Sequence, residues 1–101
     1  MIQLNKTDEF QEWFNSLRDV RVKQRIVSRL IAVENGHFGD TKPISNGVFE
    51  MRIHYGAGYQ IYYTRRGDTL YLLLVGGDKS TQQRDIKKAI KLAELTKEDK
   101  S

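Results

Sequence analysis

From Val48 to His54 apolar and polar residues alternate, with Phe49, Met51 and Ile53 on one face and Glu50, Arg52 and His54 on the other. Alternation with period two predicts a half-buried strand. Two further strand-like runs follow, Tyr59 to Arg65 and Leu70 to Val75, joined through Gly56-Ala57-Gly58 and Arg66-Gly67-Asp68. Short glycine-containing loops between such runs predict hairpins, hence a three-stranded antiparallel meander. Leu70 to Val75 is apolar at every position, the pattern of a strand that is central in its sheet or covered on both sides.

Ahead of the meander the period changes. Ile2 and Leu4 have strand spacing and predict a short first strand that can lie along the free edge of Leu70–Val75, making about four strands. Thr7 is a candidate N-cap, with Asp8 and Glu9 in the first turn where acids suit the positive end of a helix. Phe10, Trp13, Phe14 and Leu17 then form one apolar helical stripe. Asp19 is placed to cap a second helix ending at Asn35-Gly36. Its inner face is read as Val22, Ile26, Leu30 and Val33, widened by Val27 and Ile31. The short link between the two helices predicts a helical hairpin. Gly36 to Asn46, which holds the only proline, reads as a loop. After Gly76-Gly77-Asp78-Lys79, Ser80 with Gln83 fits a capping box for a last helix. Ile86, Ala89, Ile90 and Ala93 mark its apolar stripe; it ends near Leu95 and leaves a charged tail. The expected fold is α+β, a single domain over residues 1–101. The helices are expected to cover one sheet face and to leave Glu50, Arg52, Gln60 and Tyr62 on the other.

Composition narrows the function classes. The 101 residues suit one modest core. No apolar run approaches the roughly 20 residues that cross a bilayer, the N-terminus lacks the apolar stretch of a signal peptide, and there are no cysteines. The cytoplasm is therefore the expected location, with no membrane partner. Seventeen Lys and Arg against 13 acids give a net charge of +4, which suits an anionic partner without selecting one. Two histidines without partners at ligand spacing predict no metal site.

Several words of the sequence resemble the RelE/ParE superfamily of bacterial toxins: Phe49-Glu50-Met51-Arg52-Ile53, Gly56-Ala57-Gly58-Tyr59-Gln60-Ile61-Tyr62-Tyr63, Leu72 to Ser80 with Gln82, and Asp85-Ile86 with Ala89. Within it they are most similar to the addiction-module killer proteins, related to HigB-type toxins. The resemblance implies a RelE-like fold and the toxin of a type II toxin-antitoxin system. It further implies a ribosome-dependent mRNA endoribonuclease (mRNA interferase) that acts on ribosome-bound mRNA without a cofactor. A cognate antitoxin, often a small helix-turn-helix protein, would neutralise it. The superfamily also contains ParE-like inhibitors of DNA gyrase, and fold does not choose between the two activities. A decayed toxin that only binds its antitoxin is a third reading. Where the family's Gly-x-Gly-Tyr-x-x-Tyr word commonly has an arginine after the first tyrosine, this chain has Gln60.

Metal-independent cleavage needs a base for the ribose 2′-hydroxyl, which attacks the adjacent phosphate. It also needs cations for the added negative charge. Glu50 is the candidate base, Arg52 the phosphate clamp and Lys79 a cation at a glycine-rich strand exit. His54 is a candidate proton shuttle, Gln60 offers a hydrogen bond, Tyr62 a stacking surface, and Arg65 and Arg66 a positive hairpin end. Each residue also has an ordinary role as part of a solvated strand face or turn.

Overall fold

A computed structural model describes residues 1–97, so the charged tail beyond Lys97 lies outside the described residues. Strand β1 (Gln3–Lys6) is followed by α1 (Asp8–Ser16) and α2 (Val20–Glu34). Strands β2 (Thr41–Ser45), β3 (Val48–Ile53), β4 (Tyr59–Arg66) and β5 (Leu70–Asp78) come next. A 3-10 turn (Lys79–Thr81) leads into α3 (Gln82–Leu95). The strands form one mixed sheet in the order β1-β5-β4-β3-β2. β1 runs parallel to β5, and the remaining pairs are antiparallel.

The expected α+β order is present, with one strand more than expected. Residues 41–45, read as loop, form β2, and Asn46 and Gly47 turn the chain into β3 with φ of 54° and 78°. Two successive left-handed residues make the tight turn whose twist matches paired strands. Pro43 is tolerated because β2 is an edge strand, where a missing N–H breaks no interior ladder.

Both sheet faces are covered. Phe10 of α1 and Val22, Ile26 and Val33 of α2 bury against Met51, Ile53, Ile61, Tyr63 and Leu73. On the opposite face Ala89 and Ala93 of α3 pack on Val48, Tyr62, Leu74 and Val75. The expectation that one face stays open is therefore corrected: α3 covers the face to which Glu50 and Tyr62 point. A register shift in β5 sets Tyr62 opposite Val75 and Tyr63 opposite Leu73, leaving Leu74 as the extra residue of a bulge. Its carbonyl accepts from Thr7 Oγ1 at 2.6 Å, while that oxygen also accepts from Phe10 N at 3.0 Å. The α1 cap and the bulge thus fix each other.

Two further details differ from the expected pattern. Val27 and Ile31 do not widen the inner face of α2; they are 45% and 53% exposed. The Ser80–Gln83 capping box does not form. Instead Asp78 Oδ1 accepts from Ser80 N and Oγ, and Asp85 Oδ2 accepts from Thr81 Oγ1 at 2.5 Å. Among the described residues no helix is long and apolar enough to cross a membrane.

Candidate functional site

Strand register gathers one set of polar residues at one end of the sheet. Arg52 of β3 lies opposite Gln60 of β4, which lies opposite Gly77 of β5. Arg52 and Gly77 are thus two strand spacings apart, about 10 Å. Beyond Gly77 the chain reaches Lys79, whose stem crosses the β3–β4 turn: a Cβ added to Gly58 would meet Lys79 Cε at 3.0 Å. Gly58 is buried and has φ of +87°, so the turn and the lysine are mutually fitted. Lys79, His54 and part of Arg52 remain exposed to solvent.

The central ligand in this cluster is Asp40, just before β2. Its Oδ1 accepts from Arg52 Nη2 at 3.0 Å, and its Oδ2 lies 2.5 Å from His54 Nε2. These bonds, from His54 first and Arg52 next, hold the Asp40 carboxyl below its ordinary range. The backbone beneath is fastened by Arg29 of α2. Its guanidinium donates to the carbonyls of Phe38 at 3.0 Å, Asp40 at 2.8 Å and Arg52 at 2.6 Å. One side chain thereby ties the helix, the segment entering β2 and the end of β3.

Glu50 occupies a different environment. Its residue is fully buried, with Oε2 accepting from Gln82 Nε2 of α3 at 2.7 Å and from Tyr62 hydroxyl at 3.1 Å. Lys42 Nζ approaches Oε1 at 4.0 Å, and no hydrogen-bond donor lies on that oxygen. Burial, with Glu50 beside it, pushes the Tyr62 phenol far above its usual range. The carboxylate is a tie between sheet and α3 in this conformation, and a ribose hydroxyl has no open path to it. Gln60 is likewise buried, with an unpaired Oε1. Tyr62, expected to stack on a base, has no exposed ring face.

Arg65 and Arg66 belong to the far end of β4, five and six residues from Gln60 and so about 17 and 20 Å away along an extended strand. Arg66 Nη2 donates to Ala93 O at 2.8 Å and Thr96 Oγ1 at 3.1 Å, closing the C-terminal end of α3. Arg65 Nε donates to Gly67 O within its own turn. The structure therefore brings Arg52, His54, Gln60 and Lys79 together, sets Glu50 and Tyr62 beneath α3, and separates Arg65 and Arg66. Asp40 joins the cluster and Lys42 approaches the separate Glu50; neither stands out in the sequence, because the segment that presents them has the pattern of a loop.

Cations on a strand and a strand exit, around a histidine fixed by a carboxylate, are a surface that can hold an anion and move a proton. The fold class that carries this surface is RelE-like. In the solved free-state structure of an arginine-to-alanine double mutant of the Escherichia coli toxin RelE, the match has a TM-score of 0.70 at 13% identity. It covers 89% of this chain and 95% of that one. In sequence, residues 12–98 match the family described as Phage derived protein Gp49-like (DUF891), and the chain belongs to that family. A Haemophilus influenzae (strain Rd) protein described as "Uncharacterized protein" is 43% identical over 93 residues, covering 92% of this chain and 94% of its own length.

Proposed function

We propose that this chain is the toxin of a type II toxin-antitoxin system, of the HigB-like kind, acting as a ribosome-dependent mRNA endoribonuclease held in check by a cognate antitoxin. The observation that carries the reading is the solvent-facing group of Arg52, His54 and Lys79 at one end of a RelE-like sheet, braced through Asp40. In this reading Arg52 and Lys79 hold the scissile phosphate and stabilise its added charge. His54 accepts the 2′-hydroxyl proton in its neutral form, the 2′-oxygen bonds to phosphorus, and the 5′-oxygen leaves with a proton from solvent or a neighbouring acid. The products are a 2′,3′-cyclic phosphate and a 5′-hydroxyl end. Glu50 supports the site from below through Gln82 and is not the base in this conformation.

A second reading is inhibition of DNA gyrase, favoured by the buried, uncharged Gln60 where relatives commonly carry an arginine. Induced expression in a bacterial host separates the two. New mRNA 5′-hydroxyl ends within minutes, with plasmid supercoiling unchanged, support cleavage. Loss of supercoiling without new ends supports gyrase inhibition, and neither effect with an intact antitoxin complex supports a binding-only protein.

A further inference from the structure

Helix α2 carries two apolar stripes. Val22, Ile26 and Val33 are buried against the sheet, whereas Val20, Val27 and Ile31 are 63%, 45% and 53% exposed. With Gln24 between them, the exposed positions advance by four, three and four residues, the step of a coiled-coil seam. They line a shallow groove of about 350 Å³ together with Lys23, Gln24 and Ser28. From Val20 to Ile31 the seam is about 17 Å long, three turns of helix. The small Ser28 lets a partner backbone approach closely.

The charges beside the seam are of one sign. Arg21 and Lys23 flank its N-terminal half on either side, and no acid occurs in α2 before Glu34; Arg25 and Arg29 point away from the seam, over the Tyr55 ring and to the carbonyls of Phe38, Asp40 and Arg52. Arg21 is 78% exposed and its nearest carboxylate, Asp19, lies at 3.9 Å. Lys23 and Arg25 lie over the rings of Phe14 and Tyr55 at 5.3 and 4.6 Å, which steadies their stems and leaves their charge without a carboxylate neighbour among the described residues.

We infer that this face of α2 docks one amphipathic helix of a partner protein, with an apolar seam of its own and acidic residues at its flanks. The apolar stripe supplies the contact area and the basic flanks select the sign of the partner. A second copy of α2 is the wrong occupant. It would set a second Arg21 and Lys23 at the flanks with no acid between positions 20 and 33 to meet them, so the two helices would repel. The inference does not require RNA cleavage and stands or falls apart from the chemistry at Arg52.

The test titrates the full chain with a labelled three-heptad peptide carrying leucine along its seam and glutamate at its flanks. A peptide with the same seam and lysine flanks serves as control, with fluorescence anisotropy as readout. The acidic peptide should bind about tenfold or more tightly than the control. Val27→Asp with Ile31→Asp should abolish that binding with an unchanged circular dichroism spectrum. Arg21→Glu with Lys23→Glu should reverse the preference toward the lysine peptide, a result that decides the matter even if the seam variant folds poorly. Equal binding of both peptides, binding of neither, or no reversal would overturn the inference. So would a dimer in sedimentation that the seam substitutions dissolve.

Discussion

His54 Nε2 lies 2.5 Å from Asp40 Oδ2, and the other oxygen of the same carboxylate receives Arg52. One acid thus sets the position of the two groups most exposed to an incoming anion on this strand. A histidine held this way keeps one nitrogen against the carboxylate and presents the other outward.

The bonds from His54 and Arg52 lower the Asp40 pKa in the folded chain, so folding is favoured where Asp40 is ionised. That contribution is present above the unfolded carboxylate value of about 3.9 and is lost as pH falls through the lower folded value. Thermal melts of the parent and Asp40→Asn should differ at neutral pH and converge below about pH 4. A gap that widens on acidification would contradict this linkage.

Much of this arrangement was legible in the sequence, and the reasons for the rest are local. Thr7, Asp19 and Gly36 marked helix ends correctly, and the all-apolar Leu70–Val75 run is a central strand flanked by β1 and β4. The β2–β3 hairpin was missed because Pro43 and Gly39 read as loop, although Asn46-Gly47 is a strong hairpin dipeptide. Asp40 and Lys42 were lost with it. Alternation correctly set Glu50, Gln60 and Tyr62 on one side of the sheet. It carries no information on which side a later helix covers, so burial of Glu50 could not be read from β3 alone. The polar face of a strand looks the same whether it meets water or the amide of Gln82.

Arg29 fastens three carbonyls with one planar group. Arg29→Ala should lower stability by about 2 kcal/mol, since hydrogen bonds from a charged donor are involved and the site is partly solvated. Arg29→Lys should recover little, because an ammonium does not present donors in the same fork. Urea denaturation midpoints measure both.

Glu50 depends on α3 for its donors. Gln82→Ala removes one of the two hydrogen bonds to a buried carboxylate and should cost about 1–3 kcal/mol. Tyr62→Phe should act in the same direction. A Gln82→Ala protein as stable as the parent would show that the tie contributes little.

Gly77 lets α3 approach β5: an added Cβ would stand 1.9 Å from Asp85 Oδ2. Gly77→Ala should cost about 1–3 kcal/mol through overpacking. Combining it with Asp85→Ala should cost less than the sum of the two, because both act at one contact. Chemical denaturation of the four-member cycle measures the coupling.

The most direct measurement maps mRNA 5′ ends after induction of the parent chain and of the Arg52→Ala, Lys79→Ala double variant. Both must be folded by circular dichroism and present at equal level. Lys79 is exposed and Arg52 is partly exposed, paired among the described residues only with the surface carboxylate of Asp40, so the fold should persist. The parent should generate new 5′-hydroxyl ends and growth arrest, and the double variant should lose both by at least about a hundredfold, as expected when charge stabilisation of the transition state is removed. Undiminished cleavage by the folded double variant, or arrest by the parent without new ends, would contradict the assignment of this site.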